Sequence, residues 1–179
     1  AALNFLTNET AFHLGVLPTE QSNPKTVQFS QVMRRDMTAG IKLLQDVDRD
    51  VACMAERVLH SCEFAELVDS LEATVRSGGK VVFSGCGATG RLSIQLEAMW
   101  RDYWQRGKTP ASADFADGVA SVMTGGDYAL VRSVESFEDY MEFGRQQIRE
   151  LNVSERDTLV AITEGGETSS VIGTCWEAG

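Results

Sequence analysis

The segment KVVFSGCGATGRLSIQLEAMWRDYW, residues 80–104, changes its periodicity partway along. Val81, Val82 and Phe83 are a short apolar run of β-forming residues, as in a strand buried on both faces. Gly85, Gly87 and Gly90 break that run within a turn from Ser84 to Gly90. After Arg91, apolar residues return at Leu92, Leu96, Met99, Trp100 and Tyr103, the spacing of one helical face. The reading is strand, glycine-rich turn, helix. The first turn of a helix has N–H groups without intrahelical partners, and the positive end of its dipole favours an anion. With three glycines to let a ligand approach the backbone and a hydroxyl at Thr89, the turn is predicted to hold a phosphate. A tight turn that binds nothing is the plainer alternative.

Upstream, Phe64, Leu67, Val68, Leu71 and Val75 form a helical stripe that ends in Ser77-Gly78-Gly79, a C-terminal cap. Further back, apolar positions from Val32 to Leu59 keep helical spacing. One broken helix or two short ones are expected over 30–60, with Thr38-Ala39-Gly40 near the break. Residues 1–29 show no sustained periodicity, and Pro18 and Ser22-Asn23-Pro24 suggest an extended arm. Downstream, Gly107-Lys108-Thr109-Pro110 reads as a loop and Val119 to Met123 as a second strand, ended by Thr124-Gly125-Gly126. Leu130, Val131, Val134, Phe137, Met141 and Ile148 predict a helical segment over about 128–150. Thr158 to Ile162 is a third strand, running into Thr163-Glu164-Gly165-Gly166-Glu167-Thr168-Ser169-Ser170. Val171, Ile172 and Trp176 open a further helix.

Strands that alternate with helices predict an α/β fold with a parallel sheet, whose strand-end turns gather at the carboxyl edge where such sheets bind ligands. Three strands are few for this architecture, so the chain is expected to be the N-terminal part of a longer protein. The domain reading is an N-terminal arm and helix over 1–46 and an incomplete α/β domain over 47–179.

Composition narrows the function. Twenty-six acidic side chains against 16 basic ones give a net charge of −10, and no basic cluster exceeds Arg34-Arg35. That argues against a nucleic-acid partner. No apolar run has the length of a membrane span. Cys53, Cys62, Cys86 and Cys175 lack C-x-x-C spacing and are joined by only two histidines, His13 and His60, so neither a disulfide framework nor a metal site is indicated. Reduced thiols in the cytoplasm are the default.

Several residues offer chemistry. Gly85, Gly87 and Gly90 fit the dinucleotide pattern G-x-G-x-x-G, with Asp114 and Asp117 as ribose-binding candidates. The long helical stretch ahead of the first strand and the hydroxyl-rich third turn argue against that reading. Glu135 and Glu138 are three apart in the expected helix and would share a face, either as an acid/base pair or as solvated surface charge. Glu97 carries the same ambiguity. Glu164 and Glu167 are unusual in a phosphate turn and are expected to meet sugar hydroxyls or a basic group. Cys86 lies in the first turn without a neighbouring His or Asn, so it reads as a small residue that admits a ligand rather than as a nucleophile.

With these residues in view, the chain resembles the sugar isomerase (SIS) domain family, in the branch of the N-acetylmuramic acid 6-phosphate etherases and the glucokinase regulatory protein. Thr19-Glu20-Gln21-Ser22-Asn23-Pro24 is similar to the branch's T-E-x-x-N-P, and residues 85–91 to its G-x-G-T-S-G-R. Residues 124–129 resemble A-G-G-E-Y-A, and residues 134–139 resemble V-E-G-x-E-D. The resemblance implies a three-layer αβα fold with a five-stranded parallel sheet, of which about three strands fall in this chain. It implies a phosphosugar ligand, no cofactor, and a homodimer or second SIS domain that completes the site. It carries substrate binding onto Gly87, Ala88, Thr89, Gly90, Glu138, Gly165, Gly166, Thr168 and Ser169.

In the etherases the residue at the position of Glu138 is one of two glutamates doing acid/base work. They eliminate lactate from the sugar and add water, giving N-acetylglucosamine 6-phosphate and D-lactate. The other glutamate lies nine residues after the turn's last glycine, where this chain has Met99, expected on the buried stripe. Glu97 is the nearest substitute, yet two residues along a helix turn its side chain by about 200°. The family's serine after the third strand aligns with Gly165. The leading expectation is therefore a phosphosugar binder of the regulatory type, with a sugar kinase as candidate partner. An etherase using Glu138 and Glu97 comes second, and a dinucleotide enzyme third.

Overall fold

A computed structural model of the protein describes residues 4, 7–8, 18–107, 110–133 and 135–179. His13, Lys108, Thr109 and Val134 lie outside the described residues. The chain divides into two compact units, 1–66 and 67–179.

In the first unit the described part of the expected arm is a series of turns rather than extended chain. A 3₁₀ turn at Pro18–Glu20 is followed by a turn in which Asn23 Oδ1 accepts from the Lys25 N–H at 2.9 Å. Helices α1 (Phe29–Arg35) and α2 (Met37–Leu59) follow. The break lies at Asp36, two residues before the expected place. Its backbone is extended and its carboxylate accepts from the Ala39 N–H at 3.0 Å, so an acceptor at an N-cap defines the joint. Gly40 lets the two helices close, since a Cβ there would sit 2.2 Å from Met33 Sδ.

Helix α3 (Cys62–Arg76) leads into the second unit. Gly78, at φ +73°, ends it in the left-handed conformation that glycine adopts without penalty. Then come β1 (Val81–Gly85), α4 (Gly87–Arg106), α5 (Pro110–Asp117) and β2 (Val119–Met123). The short α6 (Tyr128–Val131), a 3₁₀ turn at Glu135–Phe137, α7 (Met141–Glu150), β3 (Thr158–Ala161) and α8 (Ser169–Ala178) complete the chain.

The strands form one parallel sheet in the order β2-β1-β3, with Val81 opposite both Val119 and Thr158. All of β1 is buried, which accounts for its unbroken apolar run. On one face Val81, Phe83 and Val119 pack with Leu71 and Val75 of α3 and Leu96 and Trp100 of α4. On the other, Val82 and Val122 pack with Ile148 of α7 and Ala178 of α8. Val81 and Val82 are fully buried, and each contributes about 1.5–3 kcal/mol of hydrophobic stabilisation. The architecture is αβα in three layers, as the sequence implies.

Three expectations are corrected. The segment over 128–150 is not one helix. Arg132 is extended, the 3₁₀ turn follows, and Tyr140 is extended again ahead of α7. Glu138 instead gives its carbonyl to the Ser170 N–H at 2.9 Å, a tertiary bond. Glu135 and Glu138 therefore share no helical face. Asp114 and Asp117, ahead of β2, fall in the separate helix α5.

Finally, the inward face of α4 is not the most apolar one. Leu92, Met99 and Tyr103 are exposed, Met99 by 60%, whereas Gly90 and Ser93 are buried. Small residues allow the helix to approach the sheet. A Cβ on Gly90 would meet Met123 Cγ at 2.7 Å and the Gly85 carbonyl oxygen at 2.9 Å.

Candidate functional site

The carboxyl ends of β1 and β3 open into a cleft of about 190 Å³, lined by Cys86, Gly87, Thr89, Glu138, Ile162, Thr163, Glu164, Gly165, Glu167 and Thr168. Two helices begin at this cleft. Cys86 is the N-cap of α4 and Thr168 the N-cap of α8, and neither side chain caps its own helix. In α8 the Ser170 N–H already donates to the Glu138 carbonyl at 2.9 Å, and in α4 the Gly87 N–H bonds the Cys86 thiol. The remaining first-turn N–H groups, with their partial positive charge, are the ones left for a ligand. Gly87, at φ +55°, takes the sharp corner from strand to helix. Among the described residues no lysine, arginine or histidine lines the cleft, so an anion there would depend on backbone N–H groups and hydroxyls.

The third turn forms the facing wall. Thr163 and Thr168 hydroxyls are 3.2 Å apart, and the Ile162 N–H donates to the Ser84 carbonyl at 2.8 Å, holding the turn to the end of β1. Glu167 folds back over Gly165, so a Cβ on Gly165 would come within 2.5 Å of Glu167 Oε2. That oxygen is buried and has no hydrogen-bond partner among the described residues. Glu138 reaches the cleft from the turn before α7, with its Oε2 3.8 Å from Cys86 Sγ, toward which the thiol points its proton. Burial pushes the Cys86 thiol above its ordinary pKa, and the Glu138 carboxylate adds to the rise, while hydrogen bonds from Thr124 and the Gly87 N–H work against it. A thiol held protonated is a poor nucleophile, as the sequence suggests.

Of the residues singled out from sequence, Gly87, Thr89, Glu138, Gly165 and Thr168 come together in this cleft. Ala88, Gly90, Gly166 and Ser169 flank it without lining it. Ser170 is buried and its hydroxyl is engaged with that of Thr124 at 2.8 Å. Glu97 is elsewhere: its Oε1 accepts from Arg101 Nε at 3.0 Å and its Oε2 from Ser121 Oγ at 2.5 Å. Arg101 also reaches Asp117 at 2.9 Å and the Ala116 and Val119 carbonyls, so Glu97 belongs to the clamp that joins α4, α5 and β2. Asp114 and Asp117 do not line the cleft either. Cys86, Ile162 and Thr163 join the site by their place at strand ends, a signal that the alternating α/β pattern already contained. All four cysteines are free, and no described helix is long and apolar enough to cross a membrane.

A family model described as the glucokinase regulatory protein N-terminal SIS domain matches residues 63–176. The chain is 32% identical over 161 residues to N-acetylmuramic acid 6-phosphate etherase 1 of Bacillus licheniformis, covering 90% of this chain and 49% of that protein. It is 32% identical over 158 residues to the N-acetylmuramic acid 6-phosphate etherase of Caldanaerobacter subterraneus, covering 88% and 47% respectively. With the protein of that name from Rhodopirellula baltica it shares 33% identity over 161 residues, covering 89% and 49%. The chain spans about half the length of the curated relatives it matches.

Proposed function

Because this chain belongs to the SIS-domain family whose model carries the name of the glucokinase regulatory protein, we propose that its strand-end cleft binds a 6-phosphorylated sugar or amino sugar. One observation carries this reading. Two helix N-termini without side-chain caps open on a single cleft that also holds the Thr89, Thr163 and Thr168 hydroxyls. Such a site suits a phosphate at the α4 end and sugar hydroxyls along the third turn. Gly87 and Thr89 hold the phosphate, and Glu138 faces the sugar.

Between the two activities of the branch, the names of the relatives favour the etherase, the reading placed second from sequence. In this proposal the full-length protein removes the lactyl ether of N-acetylmuramic acid 6-phosphate, with Glu138 as one acid/base group and no cofactor. The regulatory reading, phosphosugar binding without turnover and a sugar kinase as partner, draws on the name of the family model and on Met99. A second subunit or second SIS domain completes the cleft, and the free thiols suit the cytoplasm.

D-lactate release from N-acetylmuramic acid 6-phosphate by the full-length protein distinguishes the two. Release that is lost in Glu138→Gln supports the etherase. Protein that binds sugar phosphates and releases no lactate supports the regulator.

A further inference from the structure

Besides Glu138, the cleft holds two carboxyl groups at places where the branch pattern does not look for them. The position nine residues after Gly90 is Met99, which is 60% exposed on α4 and does not line the cleft. Glu97 is committed to Arg101 and Ser121. The third turn, however, brings Glu164 and Glu167 to the cavity that Glu138 enters from the turn before α7. Glu164 is exposed, whereas Glu167 lies folded on Gly165 with Oε2 buried and unpartnered among the described residues. A buried carboxyl oxygen without a partner is costly unless something in the cleft bonds to it. Gly165 leaves room for this arrangement: a Cβ there would meet Glu167 Oε2 at 2.5 Å and push the carboxyl aside.

We propose that Glu167 supplies the second acid/base group of the site, paired with Glu138 across the sugar, in place of the glutamate that Met99 replaces. The inference rests on the phosphosugar reading and on its etherase form. In the first step Glu138 acts as the base and Glu167 as the acid. Glu138 takes the proton from C2 of the sugar, and the C–H electron pair becomes the C2–C3 double bond. The C3–O ether bond breaks with its pair on the lactyl oxygen, which takes the proton of Glu167. Water then adds across the double bond. Glu167 accepts a proton from the water as its oxygen bonds to C3, and Glu138 returns a proton to C2. Both carboxyl groups end as they began, and the net change is one water consumed for one lactate released.

The test uses the full-length protein, with D-lactate release as the rate and the melting shift by N-acetylglucosamine 6-phosphate as the measure of binding. A removed acid/base group costs about 10²–10⁴-fold in rate. Glu167→Gln is expected to lose release on that scale and keep the melting shift, and Glu167→Asp, which retains a carboxyl, is expected to recover part of it. Release within about threefold of wild type in Glu167→Gln overturns the proposal. So does wild-type protein that binds the sugar phosphate and releases no lactate, an outcome that leaves phosphosugar binding standing. If no sugar phosphate shifts the melt, the phosphosugar reading itself is overturned.

Discussion

At the scale of single residues, the site depends on atoms whose partners the protein leaves open. Thr89 follows the corner at Gly87 and lines the cleft in the first turn of α4. Replacing it with valine keeps the shape and removes the hydroxyl. Thr89→Val should weaken sugar-phosphate binding by about 1–3 kcal/mol, the worth of a hydrogen bond to a charged group, and calorimetric titration would measure it. Unchanged affinity would remove Thr89 from the phosphate site. Cys86 supplies a second check. Burial and the neighbouring Glu138 raise the thiol's pKa, so alkylation at neutral pH should be slower at Cys86 than at the exposed Cys53, Cys62 and Cys175. Peptide mapping after a short iodoacetamide pulse would rank the four, and Cys86 reacting first would contradict its described surroundings. Gly87 and Thr89 were legible as residues of the strand-end cleft from the glycine-rich turn, whereas Glu138 was legible from the family resemblance, since the helix expected to carry it is broken. Glu167 was legible only as an oddity, since its burial depends on the carboxyl folding back over Gly165.

At the scale of elements, two joints hold the sheet in place. Asp157 precedes β3, its side chain only 4% exposed, and accepts from the Lys80 N–H at 2.6 Å and the Ser154 N–H at 2.8 Å, with Lys80 Nζ 3.3 Å away. Burial alone would raise its pKa, but these hydrogen bonds together hold it below the ordinary aspartate value. The stabilisation is therefore complete above the unfolded-state pKa of about 4 and is lost as pH falls through the lower folded-state value. Asp157→Asn should cost about 1–3 kcal/mol at neutral pH and flatten the acid limb of the stability curve, readable by denaturant titration.

The second joint is backbone to backbone. A Cβ on Gly144 of α7 would lie 1.8 Å from the Ser170 carbonyl oxygen, and one on Gly173 of α8 would lie 2.0 Å from that of Met141. Gly144→Ala should destabilise by about 1–3 kcal/mol through overpacking, seen as a lower denaturation midpoint. Because α8 carries the third turn, sugar-phosphate affinity should fall with it. The three strands were readable because apolar runs bounded by glycine have one good reading. The break over 132–140 was not, because it follows from a tertiary bond, Ser170 N–H to the Glu138 carbonyl, and not from any local breaker. The inward face of α4 was misread for a related reason. Close approach to the sheet selects Gly90 and Ser93 over the larger apolar residues at Leu92 and Met99.

At the scale of the whole molecule, a parallel sheet sends the ends of β1 and β3 to one edge. Turns far apart in sequence, 84–90 and 162–168, thereby become two walls of one cleft, and Glu138 is brought between them. The alternating pattern made that convergence legible in advance, whereas the pairing of particular carboxyl groups required the fold. The central claim is that this edge binds a sugar phosphate. Melting of the full-length protein should be followed with glucose 6-phosphate, N-acetylglucosamine 6-phosphate and NAD(P) in turn. A sugar 6-phosphate at about 100 times its dissociation constant should stabilise the fold by about 2.7 kcal/mol, with NAD(P) inert. A shift by NAD(P) and none by either sugar phosphate would contradict the account.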